Sequence, residues 1–525
     1  MKTCFSSILF LLVLASFPAH AQFTNVLIGD KHAPEEVSIC INPKNTSQIT
    51  AGANLNNAYY STDGGLTWSG HTLSSEANGV YGDPVLFADT SGTFYFSHLS
   101  NPPGGQGSWV DRIVFQRSVD GGRTYSSGTS VGKNGIKVQD KPGTGVNPFN
   151  NEIYLCWTQF DVYGSHKKSD SSIIFFSKST DQAETWSSPK RISPQAGDCL
   201  DSDSTVEGCV PSTGPLGEIY TAWAGPLGLA FNKSVDDGNT WMAQEKVVCT
   251  IPGGWDYPVS GLFRCNGLPM TACDLSKGPN RGTIYINWSD QRNGVNDADV
   301  WIVRSTNGGA DWSAPVRVNT DPPGHQNFMS WMTIDQNNGD VYVVYYDRRN
   351  FSSGDSTDFY LSRSVDGGHT FADFKLNNKA FVPSPAVFFG DYVGISVVKG
   401  MVRPIWMQYE KSGLSIWTAL VDASMLAVKE DRPVRMGSLV LCQNIPNPCR
   451  DSTVVHFETL KKGRINLYVS GMQGKRVSTC IDHLKMKAGG HDFTISVKTA
   501  GLKPGEYQYT LECGEDHITR KLTVY

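Results

Sequence analysis

One octapeptide constrains this chain more than any other feature. "STDGGLTW" at residues 61–68 returns as "SVDGGRTY", "STDQAETW", "SVDDGNTW", "STNGGADW" and "SVDGGHTF", beginning at Ser118, Ser179, Ser234, Ser305 and Ser364. Self-similarity at intervals of about 55–70 residues marks a repeat architecture, in which each unit buries its apolar face against the next. Every copy follows an apolar β-type run such as "DVWIVR" or "DFYLSR" and precedes another, such as "WSAPVRVN". It therefore belongs to a hairpin turn, where Gly supplies positive φ and Asp bonds its own backbone.

Two more strand signals lie upstream of each hairpin, for example "MSWMTIDQ" and "GDVYVVYYD" before "DFYLSRSVDGGHTF". A four-stranded antiparallel unit is a propeller blade, and helical periodicity is almost absent from residues 22–425, which excludes βαβ folds. Second-strand runs from "SQITAGAN" to "VRPIWMQYE" number seven, the last without an octapeptide. Its missing strand is supplied by "FTNVLIGD", which closes the ring by joining the two ends of the domain. Seven blades are favoured; six result if the end units merge.

From about residue 432 short alternating strands with Gly and Pro turns predict a small immunoglobulin-like β-sandwich over 441–525, after a linker at 426–440. At the other end, an apolar run followed by Ala19, His20 and Ala21 reads as a secretory signal peptide over 1–21. The run is too short to span a bilayer, and no later stretch of about 18 apolar residues exists. Export allows disulfides, for which Cys199 with Cys209, and Cys249, Cys265 and Cys273 among themselves, are close in sequence. The net charge of −5, without long runs, gives no footprint for nucleic acid or for an anionic membrane surface.

The S-x-D-x-G-x-T-W repeat resembles the Asp box of the sialidase-like (BNR repeat) propeller family over about residues 30–425. Asn307 in the fifth copy and Gln182 and Ala183 in the third depart from the pattern. The resemblance implies a glycan as substrate or ligand, with the boxes on the face away from the site. Sialidases carry an Arg in an "RIP" motif at the start of the first blade, where this chain has "EEVSICINP". The C-terminal "NIPNP", "MQGKRV" and "LKPGEYQYTL" resemble the type IX secretion sorting domain of Bacteroidetes, implying that export machinery as a partner and a secreted or cell-surface location.

Antiparallel topology then puts the starts of the innermost strands on the face opposite the boxes. Those starts carry Glu35, Glu36, Asp83, Asp140, Lys141, Glu207, Arg264, Asn266, Trp331, Asp391 and Tyr392, and second strands end in Asp290, Arg292, Asp347, Arg348, Arg349 and Glu410. Glycoside hydrolysis uses paired carboxyls, or a carboxyl with an activated Tyr, so Glu207, Asp83, Asp140 and Tyr392 are the catalytic candidates. Arg264, Arg292, Arg349, Asp290, Asp347 and Trp331 are the binding candidates. "WSDQR" and "YYDRR" align Arg292 with Arg349, as an anion clamp or as arginines each tied to a neighbouring Asp. No cofactor is expected; the acids of "GDCLDSDSTVEG" allow calcium but lack a calcium-loop pattern. The favoured function is a secreted sialidase-like exo-glycosidase that hydrolyses glycosidic bonds of acidic or complex glycans; a non-catalytic glycan-binding or adhesion propeller and a polysaccharide lyase are the alternatives.

Overall fold

A computed structural model describes residues 23–103, 109–410, 413–426, 434–444, 447 and 449–524; the signal peptide read at 1–21 lies outside them. The chain divides into two compact units, 1–427 and 428–525.

The first unit is all-β. Its strands form seven four-stranded antiparallel sheets, six of them running consecutively in the chain from Ser38–Ile41 to Ala372–Lys375. The seventh takes three strands from the end of the unit, and its fourth is Thr24–Gly29, which pairs Thr24 with Leu420 and Leu27 with Trp417. Each sheet's first strand packs beside the next sheet's first strand, and the last returns to the first, the arrangement of a β-propeller.

The sequence forms these sheets because its second strands are buried on both faces, between neighbouring sheets. They read as continuous apolar runs rather than alternations, as in "IYLCWTQF" of Ile153–Phe160, where all eight residues are buried. Trp157, Trp223, Trp288 and Trp406 occupy the second strands of the third, fourth, fifth and seventh sheets, and all are buried. Near the axis the first strands crowd: a Cβ on Gly143 would lie 2.0 Å from the Cys209 carbonyl oxygen of the next sheet.

Each octapeptide joins the third strand of its sheet to the fourth. In the first, Ser61 Oγ accepts from Gly65 N at 2.9 Å, while the Asp63 carboxylate accepts from Thr67 N at 2.9 Å and Thr67 Oγ1 at 2.6 Å. Burial works against the Asp63 charge, but these donors outweigh it and hold the carboxyl down at about 2. The deviant copies keep this geometry. Gln182 and Ala183 adopt φ of 62° and 65°, the left-handed region that Gly64 and Gly65 occupy in the first copy. In the fifth, Asn307 Oδ1 accepts from Asp311 N at 2.9 Å while its amide donates to the Asp311 carboxylate at 3.1 Å, a reversal of donor and acceptor.

The second unit consists of two four-stranded antiparallel sheets sharing one apolar core that includes Leu441, Phe457, Leu467 and Leu511. Val434–Met436, within the stretch read as a linker, and Leu439–Leu441, which crosses its end at 440, pair into the first of these sheets.

The expected disulfides are corrected here: Cys199, Cys209, Cys249, Cys265 and Cys273 are free thiols. Closeness in sequence did not translate into closeness in space; Cys209 instead lies against Cys156 of the preceding sheet. Nor does the acidic segment form a calcium loop: Asp198 accepts from Thr205, Asp201 from Tyr163 and Arg264, and Asp203 from the Asp256 backbone. No group of His, Cys, Asp or Glu among the described residues is placed to hold a metal ion.

Candidate functional site

The first strands begin on the face opposite the boxes, and there the chain repeats a local device. Glu36, Asp83, Lys141 and Met329 have φ of 47–50°, and Gly208 and Gly390 take the same left-handed region in the fourth and seventh sheets. Non-glycine residues rarely adopt this conformation, at a cost of about 1–2 kcal/mol each. The pairing register slips at the same level, between Asp140 and Gly143, Glu207 and Val210, and Phe328 and Trp331. These are bulges, and they re-aim side chains that would otherwise follow the strand.

What they assemble is a ring of charge at the mouth of an axial cavity of about 360 Å³, lined by the first strands of all seven sheets. Lys141 sits among carboxylates, its Nζ 2.6 Å from Asp391 and 3.5 Å from both Glu36 and Asp83. Arg264 donates to Asp391 through Nε at 2.7 Å and through Nη2, and its Nη1 reaches Asp201 at 3.0 Å. Asn266 Nδ2 donates to the Asp391 carbonyl at 3.0 Å. Tyr163, from the third sheet, donates to Asp201 at 2.6 Å. The rings of Trp331 and Tyr392 lie 5.9 Å apart beside this cluster, with Lys141 over Tyr392.

Six carboxyls (Glu36, Asp83, Asp140, Asp201, Glu207 and Asp391) share two cations, Lys141 and Arg264, and this imbalance sets the protonation pattern. Burial disfavours the Asp391 charge, but Lys141 and Arg264 overcome it and hold the carboxyl far below the usual range. Glu207 is the opposite case: burial, then the Asp201 and Asp140 charges, push it well above the ordinary carboxylate value. It is 0% exposed, no N–H or O–H among the described residues donates to either oxygen, and it lies against the Asp201 carboxyl. Glu36 lies against Asp83 in the same way and is raised chiefly by burial, with Lys141 opposing. Burial and the Asp83 charge bring Asp140 up to about 7, and burial brings Glu35 to about 7. The Tyr392 hydroxyl has no hydrogen-bond partner among the described residues, and burial and the Asp83 and Glu36 charges raise it.

The structure thus brings together Asp83, Asp140, Glu207, Tyr392, Arg264 and Trp331, with Glu36, Lys141, Asn266 and Asp391. It does not bring Asp290, Arg292, Asp347 and Arg349 to the ring. Arg292 grips Asp290 through Nε at 2.9 Å and Nη2 at 2.6 Å, and lies over the Trp301 ring at 4.5 Å. Arg349 binds Asp347 at 2.7 Å and Asp373, on its sheet's fourth strand, at 2.6 Å. Both guanidiniums point outward along their sheets, so the anion clamp is not formed and the pairing with neighbouring aspartates is. Sequence reasoning missed Tyr163 and the part Asp201 plays in the ring.

No family model matches the sequence, and no curated protein matches it either. Among solved structures, the chain is similar to the Hadza microbial sialidase Hz136, at 13% identity over 72% of this chain and 75% of that one, with a TM-score of 0.42. It is similar to a polysaccharide lyase of the ulvan lyase type bound to -[GlcA(1-4)Rha3S]-, at 13% identity over 76% and 95%, with a TM-score of 0.44. It is also similar to an α-L-arabinanase of Penicillium chrysogenum complexed with arabinobiose, at 12% identity over 76% and 98%, with a TM-score of 0.41. Identities and scores this low transfer no activity and no residue role to this chain.

Proposed function

We propose that this chain is an exported carbohydrate-active enzyme, a glycoside hydrolase acting at the axial mouth of a seven-bladed propeller. One observation carries the reading: carboxyls in opposite surroundings share one mouth, Asp391 gripped by Lys141 and Arg264 and Glu207 fully buried with no donor on either oxygen among the described residues, which pulls the first down in pKa and pushes the second up. Environments that split the pKa values of neighbouring acids are how a site assigns acid and base roles. Glu207 supplies the proton to the leaving oxygen. Asp140, at about 7, exchanges protons near neutral pH and serves as the base. Trp331 and Tyr392 offer the ring faces against which a sugar stacks, and the orphan Tyr392 hydroxyl is the alternative nucleophile.

The engagement of Arg292 and Arg349 with their own aspartates argues against a sialic-acid carboxylate as the recognised group. The same holds for a uronate, since Arg264, the guanidinium at the ring, is already taken by Asp391 and Asp201. The N-terminal run and the "NIPNP" and "LKPGEYQYTL" blocks support export by the type IX route, with 441–525 as an immunoglobulin-like sorting domain. A second reading, a glycan-binding propeller without catalysis, draws on the burial of the ring, where the Asp391 side chain is only 1% exposed.

The test is incubation of residues 22–525 with a sialoside, neutral glycans and a uronate polysaccharide, followed for free sialic acid, new reducing ends and ultraviolet-absorbing product. New reducing ends from a neutral glycan are expected, and Glu207→Gln should slow their release at least about a hundredfold. No product from any of the three overturns the enzyme reading, and a glycan array then decides whether the chain binds.

A further inference from the structure

Two aromatic pairs stand on the mouth face outside the charged ring. The first belongs to the second sheet. Trp109, in the connection from Phe94–Leu99 to Ile113–Ser118, is 51% exposed, and its ring lies 4.6 Å from that of Tyr81. Tyr81 comes two residues before Asp83, which lines the axial cavity. The backbone beside this indole is strained: Val110, the next residue, is buried and has a φ of 54°. A β-branched residue stays in the left-handed region only where its surroundings hold it there. Two hydrogen bonds do so, from Val110 N to the Ser100 carbonyl at 3.0 Å and from Gln139 N of the third sheet to the Val110 carbonyl at 2.9 Å.

The second pair belongs to the fifth and seventh sheets. Phe263 is 62% exposed, and its ring stands edge-on to Phe388 at 6.2 Å. Arg264, the residue after Phe263, lies over the Phe388 ring at 5.0 Å and binds Asp391 through Nε at 2.7 Å, so this pair is fastened to the charged ring. Phe263 and Phe388 precede the first strands of the fifth and seventh sheets, Met270–Cys273 and Gly394–Val398. Counted round a ring of seven, the fifth sheet is three steps from the second and the seventh is two. The two pairs therefore stand on different sides of the axis, with the cavity and its Trp331 and Tyr392 between them.

An exposed aromatic ring on a rigid support beside a polar site takes the apolar face of a sugar, where axial C–H groups line up. Pyranoses joined through equatorial bonds keep such faces from one unit to the next. Platforms on two sides of the mouth suit a glycan that continues in both directions past the reacting bond. We propose that the mouth holds the middle of a neutral, equatorially linked pyranose chain of the β-1,4-glucan, mannan or xylan class, with Trp109 and Phe263 gripping sugars on opposite sides of the cleaved bond. The inference rests on the reading of this mouth as a glycoside hydrolase site. Its consequence is internal cleavage. The water oxygen joins C1 and gives its proton to Asp140, the C1–O bond breaks, the leaving oxygen takes the Glu207 proton, and both products are oligosaccharides.

The test is calorimetry on residues 22–525, as wild type and with Glu207→Gln to keep the ligand intact, using the dimer and the hexamer of β-1,4-glucan, mannan and xylan. At least one hexamer is expected to bind at least about tenfold tighter than its own dimer. Trp109→Ala and Phe263→Ala, checked for folding by circular dichroism, should each weaken that hexamer about fivefold and leave its dimer within about twofold. Wild-type digestion of the hexamer, followed by chromatography, should release dimers, trimers and tetramers before any single sugar. No hexamer binding, equal affinity for hexamer and dimer, unchanged hexamer affinity in either variant, or single sugars as the first product each overturns the proposal. Length-dependent binding that both variants weaken, with no cleavage of any glycan, sinks the hydrolase and leaves the two platforms standing. Cleavage to single sugars with both variants as active as wild type does the reverse.

Discussion

Asp391 is the residue on which the ring turns. It stands between two cations, Lys141 at 2.6 Å and Arg264 at 2.7 Å, and its side chain is almost wholly buried. Removing one member of a buried ion network leaves the others uncompensated, which costs about 3–5 kcal/mol. Asp391→Asn should therefore lower the thermal transition of the 1–427 unit by several degrees in differential scanning calorimetry, and adding Lys141→Met should lower it further, because Glu36 and Asp83 then lose the cation 3.5 Å from each. A double variant as stable as the single one would show that Lys141 carries little for those two acids. The ring residues were legible in the sequence because the octapeptides fix strand polarity, and polarity fixes which residues start the first strands. Arg292 and Arg349 were not separable in this way. They share the face with Glu207, but whether a guanidinium turns inward or outward depends on partners such as Asp373, 24 residues from Arg349 in the chain.

At the scale of the element, the octapeptide is a turn whose hydrogen bonds can be rewritten without changing its shape. The fifth copy exchanges Asp and Thr for Asn307 and Asp311 and keeps a side-chain contact between the third and seventh positions. Asn307→Asp would set two carboxylates against each other at that contact. It should destabilise the first unit by about 1 kcal/mol, and Asp311→Thr on top of it should restore the loss by recreating the common pattern. Urea denaturation of the four proteins forms a cycle, and additive effects would show that the two side chains do not interact. The sheets themselves were readable because buried second strands leave an unbroken apolar signature. The bulges were not: a left-handed Glu36 or Lys141 has no local mark, since its conformation is imposed by neighbouring strands crowding the axis.

For the whole molecule, the decisive pairing is Thr24–Gly29 with Gly413–Asp422, which joins the two ends of the first unit. Phe23 and Ile28 are buried with it. Deleting residues 23–30 should leave the Gly413–Asp422 strand as an open edge, lower the melting temperature by more than 10 °C and promote association in light scattering. An unchanged melting temperature would mean that closure contributes nothing to stability. That strand is the first to be synthesised and its partner almost the last of the unit. At about 5–20 residues per second, Thr24 waits tens of seconds for Leu420 to exist. Until then six sheets stand as an unfinished arc with an exposed flank, so the lifetime of that arc, rather than the strength of the finished ring, decides how much chain is lost to misassembly during synthesis.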